Sequence, residues 1–248
     1  VTISLGVDIG GTGIKGALVN TPTGELSGPR IKYPTPVGSR PADVVATVRQ
    51  IVDESGATAG CPVGVCFPAP VREGVTLSAA NVSDEWIGFP AERVFADALG
   101  REVHFVNDAD AAGYAETRVG AARNIHGLVI VITLGTGIGT ALISDGHLVP
   151  NAELGHLELE GEDAETRASN AAREREGLDY VAWGTRLSRY FSHLEMLFSP
   201  ALFVIGGGIS REYAEFFPFI QISTPLAPAQ LFNNAGIVGS ALLAGQTR

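Results

Sequence analysis

The stretch Asp8-Ile9-Gly10-Gly11-Thr12-Gly13-Ile14-Lys15-Gly16-Ala17-Leu18 contains a phrase that the chain uses twice. Gly-Thr-Gly-Ile-x-x-Ala-Leu runs from Gly11 to Leu18 and returns from Gly135 to Leu142. Each copy follows a short apolar, β-branched run, Ile3 to Ile9 and Leu128 to Leu134, so each reads as a hairpin turn leaving a buried strand. The repeat implies two related halves. Glycines let backbone N–H groups approach phosphate oxygens and the threonine hydroxyls add donors, so two such turns facing across a cleft would suit one phosphate chain.

Context excludes two other glycine motifs. Gly11, Gly13 and Gly16 satisfy G-x-G-x-x-G, but a dinucleotide-binding turn opens a helix. Here Ile14 to Val19 alternates like a strand and ends at Thr21-Pro22-Thr23-Gly24. Neither copy ends in Gly-Lys-Ser/Thr, so a P-loop cradle at a helix N-terminus is also unsupported.

Val1 to Asp8, Ile14 to Val19 and Ile31 to Tyr33 read as an antiparallel meander. After Arg40-Pro41, the spacing of Val44, Val48, Ile51 and Val52 predicts a helix ending near Gly56. Val63 to Phe67 and Val103 to Val106 are strand candidates with a helix at Ala91 to Leu99 between them, and Ala109 to Arg118 reads as helix. In the second half, Leu128 to Leu134, Thr140 to Ser144 and Ala201 to Ile205 read as strands. A charged stretch from Glu162 to Arg175 precedes a helix from Tyr180 to Leu197, and Ala235 to Ala244 is a closing helix. Meanders followed by helices, repeated once, predict an α/β protein of two domains with a cleft between.

A chain of 248 residues with 45% hydrophobic content can bury a proper core. No apolar run reaches the roughly 18 to 20 residues of a membrane span, and Val1 to Gly6 lacks the basic start of a secretory leader. Cys61 and Cys66, the only cysteines, sit in a strand-like stretch as small buried hydrophobes, which points to a reducing cytoplasm. The formal net charge of -10 argues against a nucleic-acid partner. Lys15 and Lys32 are the only lysines. Lys15 lies inside the first phrase, either as a phosphate ligand or as a solvated strand residue.

Three clusters can carry chemistry. Asp8 closes the first strand just before the glycines, where its carboxylate could hold a hydrated Mg²⁺ against phosphates or simply close a turn. Asn107-Asp108-Ala109-Asp110 ends a strand as a helix begins. A carboxylate there could take the proton of an acceptor hydroxyl in phosphoryl transfer, or cap the helix. Asn151, Glu153, His156 and Glu158 form a polar cluster among leucines. They suit a metal, a clamp for vicinal sugar hydroxyls or a plain surface turn, and the lack of a cysteine disfavours a closed zinc site.

Asp8-Ile9-Gly10-Gly11-Thr12, Asn107-Asp108, Leu134-Gly135-Thr136-Gly137-Ile138-Gly139, Glu153-Leu154-Gly155-His156 and Gly206-Gly207-Gly208-Ile209 resemble, in order, the motifs of ROK-family sugar kinases. Gly13-Ile14-Lys15-Gly16-Ala17, Asn81-Val82-Ser83-Asp84-Glu85-Trp86-Ile87-Gly88 and Leu197-Phe198-Ser199-Pro200 resemble the short bacterial polyphosphate glucokinases within it, including the polyphosphate/ATP glucomannokinase type. The resemblance implies an actin-like (RNase H-like) ATPase fold in two α/β lobes: a small lobe of residues 1–108 plus 233–248 and a large lobe of residues 109–232. It implies transfer of the terminal phosphoryl group of polyphosphate or ATP to the 6-hydroxyl of glucose, and of mannose, by a Mg²⁺-dependent cytoplasmic homodimer.

By the same resemblance, Asp108 is the base, Asn107, Glu153 and His156 hold the sugar, and Asn81 and Gly137 are neighbours. Gly10, Gly11, Thr12, Gly13, Lys15, Thr136 and Gly137 face donor phosphates, and Gly207 and Gly208 lie near an adenosine. Many family members carry a cysteine-rich zinc loop followed by a sugar-binding glutamate. Glu165 to Gly177 has no cysteine, so no structural zinc is expected, and Glu174 or Glu176 is the candidate glutamate. Two further readings are an ATP-only hexose or N-acetylhexosamine kinase, and a sugar-sensing regulator. The regulator reading expects an added DNA-binding segment and fits the acidic charge poorly.

Overall fold

In the computed structural model, which describes residues 2–79 and 82–246, both glycine phrases are hairpin turns. The chain forms two compact units: one runs to Ala115 and resumes at Asn234, the other is Glu116–Asn233. The Asp108/Ala109 boundary drawn from the sequence falls at the start of a helix that crosses from the first unit into the second.

In the first unit, β1 (Ile3–Ile9), β2 (Gly13–Asn20) and β3 (Ile31–Pro34) form the expected antiparallel meander, although Val1 lies outside the described residues. Helix α1 (Pro41–Glu54) buries Val44, Val48, Ile51 and Val52, the stripe legible in the sequence. Strand β4 (Val63–Phe67) adds parallel to β1. A small hairpin of β5 (Val71–Arg72) and β6 (Val75–Thr76), too short to leave a periodic pattern, precedes α2 (Ala91–Leu99). Strand β7 (Val103–Asn107) completes the sheet order β3-β2-β1-β4-β7 and leads into α3 (Asp108–Val119).

The second unit repeats that order. Strands β8 (Leu128–Leu134), β9 (Ile138–Ser144) and β10 (His147–Val149) form its meander. The hairpin of β11 (Glu158–Leu159) and β12 (Glu162–Asp163) follows. The charged stretch is two helices, α4 (Ala164–Ala168) and α5 (Asn170–Glu176), because Ser169 ends the first and caps the second through Ala172 N–H at 3.2 Å. Helix α6 (Tyr180–Phe198) packs Trp183, Leu187, Phe191 and Leu194 into the core. After it come β13 (Leu202–Gly206), the short α7 (Tyr213–Phe216) and β14 (Leu226–Pro228), giving the order β10-β9-β8-β13-β14. Each sheet is therefore an antiparallel meander extended by two parallel strands.

The final helix, Ala235–Ala244, returns to the first unit and lies against β1, β2 and β4. It is apolar all round because both its faces are covered, with Ile237, Val238 and Ala241 at most 1% exposed. The approach is backbone to backbone. A Cβ on Gly64 would fall 1.9 Å from Ser240 O, and one on Gly239 would fall 1.7 Å from Ala111 O of α3. Neither obstacle is a movable side chain, so an added methyl must shift the helix. Gly64→Ala is expected to cost about 1–3 kcal/mol or more in chemical denaturation. Gly28→Ala, where nothing lies within 4 Å, should stay within about 0.5 kcal/mol of wild type. Equal stabilities would contradict this packing.

Candidate active site

In the first unit, β1, β4 and β7 run parallel and present their C-terminal ends along one sheet edge. In an open α/β sheet this is the edge where ligands bind. Asp8, Cys66 and Val106 occupy one register row, which sets the end of β7 roughly 10 Å from Asp8, two strand spacings away. Asp8 Oδ2 accepts from Lys15 Nζ at 3.0 Å, with the two side chains 17% and 23% exposed. Gly10 N–H donates to Gly13 O at 3.1 Å to close the turn, and Thr35 Oγ1 donates to Gly10 O at 2.5 Å from outside it. Gly11 and Thr12 at the tip are exposed.

At the neighbouring strand end the capping question is resolved. Asn107 is the cap: its Oδ1 accepts from Ala109 N–H at 2.8 Å and Asp110 N–H at 3.1 Å. Asp108 is the first residue of α3, partly exposed, with Oδ1 accepting from Ala109 N–H at 2.7 Å. Burial, and after it the charges of Asp8 and Asp108, push the Cys66 thiol far above its ordinary range. Cys66 is thus a neutral wall beside the two carboxylates. Asn81 lies outside the described residues.

In the second unit, the other glycine turn is closed by Gly135 N–H to Gly137 O at 3.0 Å, and Gly135 O accepts from Ala171 N–H of α5 at 3.0 Å. Thr136 is exposed at its tip. Glu153 precedes a single 3₁₀ turn, Leu154–His156, which packs on β9 so closely that a Cβ on Gly155 would fall 2.2 Å from Ile138 O. Thr140 holds this turn by accepting from Leu154 N–H at 2.9 Å. Gly207, at φ 85°, rests against the end of β8, and Gly208 begins the next 3₁₀ turn.

The sequence reading missed the carboxylates that organise this second cluster. Asp163 Oδ2 lies 2.8 Å from His156 Nδ1, while its Oδ1 caps α4 through Glu165 N–H at 3.1 Å. Glu165 Oε2 accepts from Ile138 N–H at 3.0 Å, and it occupies the space a Gly137 side chain would need, 2.4 Å from an ideal Cβ. Glu165 therefore joins the glycine turn to the Glu153–His156 cluster. The expected glutamates are engaged elsewhere: Glu174 accepts from Asn170 Nδ2 at 2.9 Å, and Glu176 pairs with Arg186 at 2.6 Å. A cap signal at Asp163 was present in the sequence, two residues before Glu165.

The hydrogen bond to the Asp163 carboxylate raises the pKa of His156 above its ordinary value, against a smaller lowering by burial. Burial raises Glu153, an effect that the His156 charge opposes. His156, Asp163 and Glu165 have ligand atoms within 4.8 Å of one another and are, among the described residues, the one group of three or more such side chains that could hold a metal ion. The group contains no thiolate and only one imidazole, whereas structural zinc takes four Cys or His ligands.

A model of the ROK family matches residues 4–172. The polyphosphate glucokinase of Mycobacterium tuberculosis (strain CDC 1551 / Oshkosh) is 45% identical over 238 residues, which is 96% of this chain and 89% of that protein. The crystal structure of inorganic polyphosphate/ATP-glucomannokinase from Arthrobacter sp. strain KM superposes with a TM-score of 0.92 at 50% identity, covering 98% of both chains. A ROK family glucokinase from Streptomyces griseus, solved with glucose and AMPPNP, shares the fold at a TM-score of 0.81 and 24% identity, covering 99% of this chain and 100% of that one.

The His156–Asp163 contact is open to titration. Because the folded pKa of His156 is raised, its contribution to stability is full below the unfolded value of about 6.5 and disappears as pH rises through the folded value. Asp163→Asn keeps a capping oxygen but loses the charge. NMR titration should place the His156 midpoint lower in the variant than in wild type, and the stability gap between the two should narrow with rising pH. An unmoved midpoint would show that Asp163 does not act on His156.

Proposed function

The chain belongs to the ROK family, and on that premise we propose that it transfers the terminal phosphoryl group of inorganic polyphosphate or ATP to the 6-hydroxyl of glucose, and of mannose. The observation that carries this reading is Asp108, held at the first position of α3 by the Asn107 cap, on the sheet edge that also carries Asp8 and the first glycine turn. It is supported by the near-full-length likeness to a polyphosphate glucokinase and to a polyphosphate/ATP-glucomannokinase.

Asp108 accepts the proton of the 6-hydroxyl as the oxygen attacks the terminal phosphorus. The bond to the bridging oxygen breaks, and polyphosphate one unit shorter, or ADP, departs. The Asn107 carbonyl oxygen is engaged in the cap, so its amide N–H₂ is the group that faces sugar. The His156 imidazole and the Glu153 and Glu165 carboxylates hydrogen-bond the sugar hydroxyls. This set fixes which way the hydroxyls point. The backbone and hydroxyls of Gly10 to Gly13 and of Thr136 and Gly137 bind donor phosphates, with Lys15, and Gly207 and Gly208 border the adenosine of ATP.

The residues at Asp8 fit a hydrated Mg²⁺, because such an ion binds through one or two carboxylates and phosphates and keeps most of its waters. Asp8 has a partly exposed carboxylate with one oxygen on Lys15. When bound, the ion neutralises charge on the donor phosphates. We assign no structural zinc. We read the enzyme as a cytoplasmic homodimer that needs neither nucleic acid nor membrane. Two free, buried cysteines support a reducing compartment, and no helix among the described residues is long and apolar enough to cross a membrane.

Asp108→Asn keeps the shape and the local hydrogen bond but removes the base. With sugar and donor saturating, turnover is expected to fall by about 10² to 10⁴ fold, with the KM for glucose changed only a few fold. Turnover near that of wild type would remove Asp108 from the role of base.

A further inference from the structure

The two lysines of the chain, Lys15 and Lys32, are direct cross-strand partners. Residues opposite one another in an antiparallel pair project from the same face. Lys15 is also opposite Asp8, and their side chains meet at 3.0 Å, so Asp8, Lys15 and Lys32 form a row across β1, β2 and β3 on one face. Like charges placed directly opposite are unfavourable unless something negative lies between or over them. Asp8 answers one ammonium, and among the described residues Lys32 makes no ion pair and no side-chain hydrogen bond.

Lys32 is exposed, but its stem leans towards the site. An ideal Cβ on Gly13 would fall 3.0 Å from Lys32 Cε and 4.0 Å from its Cγ. The lysine stem therefore lies over Gly13, leaning along the strand towards the turn Gly10 to Gly13. The missing side chain at Gly13 is what makes room for it. The same end of β3 is tied to that turn, Thr35 Oγ1 donating to Gly10 O. Cε, the carbon that bears the ammonium, is carried to the flank of the turn, one strand beyond Lys15.

We propose that Lys32 is a donor-specificity residue that binds the polyphosphate chain beyond the phosphoryl group being transferred, extending the Lys15 contact outward across the sheet. This rests on the polyphosphate reading given above. ATP ends in adenosine after three phosphates, whereas the polymer continues with a negative charge at every unit, so a cation at the outer flank counts for more with the polymer. In a protein of formal net charge -10, such a contact has to be local. An exposed lysine on an edge strand can also serve only to discourage strand pairing, and β3 is an edge strand.

The test measures KM and kcat for wild type, Lys32→Gln and Lys32→Arg, with long-chain polyphosphate, tripolyphosphate and ATP, each at saturating glucose. Lys32→Gln should raise the KM for long-chain polyphosphate about tenfold with kcat within about twofold, and raise the KM for ATP clearly less. The penalty should shrink with tripolyphosphate and at high salt, where the charge is screened, and Lys32→Arg should restore most of it. If wild type uses the polymer and Lys32→Gln keeps its KM, or loses equally with both donors, Lys32 has no donor-specific role. If wild type does not use the polymer at all, the donor reading itself fails, and the role of Lys32 with it.

Discussion

The close seat of the final helix on the first sheet is the constraint on which the site in that unit depends. Backbone meets backbone there because Gly64 has no side chain, and the bare Gly239 lets the other side of the helix approach α3 as closely. At the start of the same helix, a Cβ on Gly236 would lie 3.0 Å from Cys66 Sγ and 3.1 Å from Asp8 Cγ, so the helix also walls in the Asp8 carboxylate. With β1, β4 and β7 locked in parallel beneath it, Asp8 is fixed near a strand end and Asp108 at a strand-to-helix junction rather than by loops. Catalytic geometry needs that rigidity, since groups that transfer a proton must be held within hydrogen-bond reach.

Much of the fold was legible because its signals are local. The doubled glycine phrase marked both hairpins, and the apolar runs before it marked β1 and β8. The stripe of Val44, Val48, Ile51 and Val52 marked α1. The splitting of Glu162 to Arg175 into α4 and α5 was missed because Ser169 looks like any helix-surface serine until its hydroxyl is seen capping Ala172. The β5–β6 hairpin is two residues a side, below the length at which alternation carries information.

At the site, legibility divides by sequence distance. Asp8, Asn107-Asp108 and Glu153 to His156 stood out because motif neighbours surround them. Asp163 and Glu165 matter through contacts with His156 and Ile138, 7 and 27 residues away, and no local pattern encodes such a pairing. Glu174 and Glu176 sit in a more conspicuous charged run, yet α5 turns them towards Asn170 and Arg186. Lys32 was visible only as a rare residue. Strand register then set it opposite Lys15, and the bare Gly13 aimed it at the turn.

The central claim is phosphoryl transfer to one sugar hydroxyl, and it is tested most directly by ³¹P NMR of the purified protein with glucose, Mg²⁺ and polyphosphate. The prediction is a phosphomonoester signal of glucose 6-phosphate that grows as terminal polyphosphate units are lost, one for one. Inorganic phosphate alone, or a sugar phosphate esterified at another hydroxyl, would contradict it.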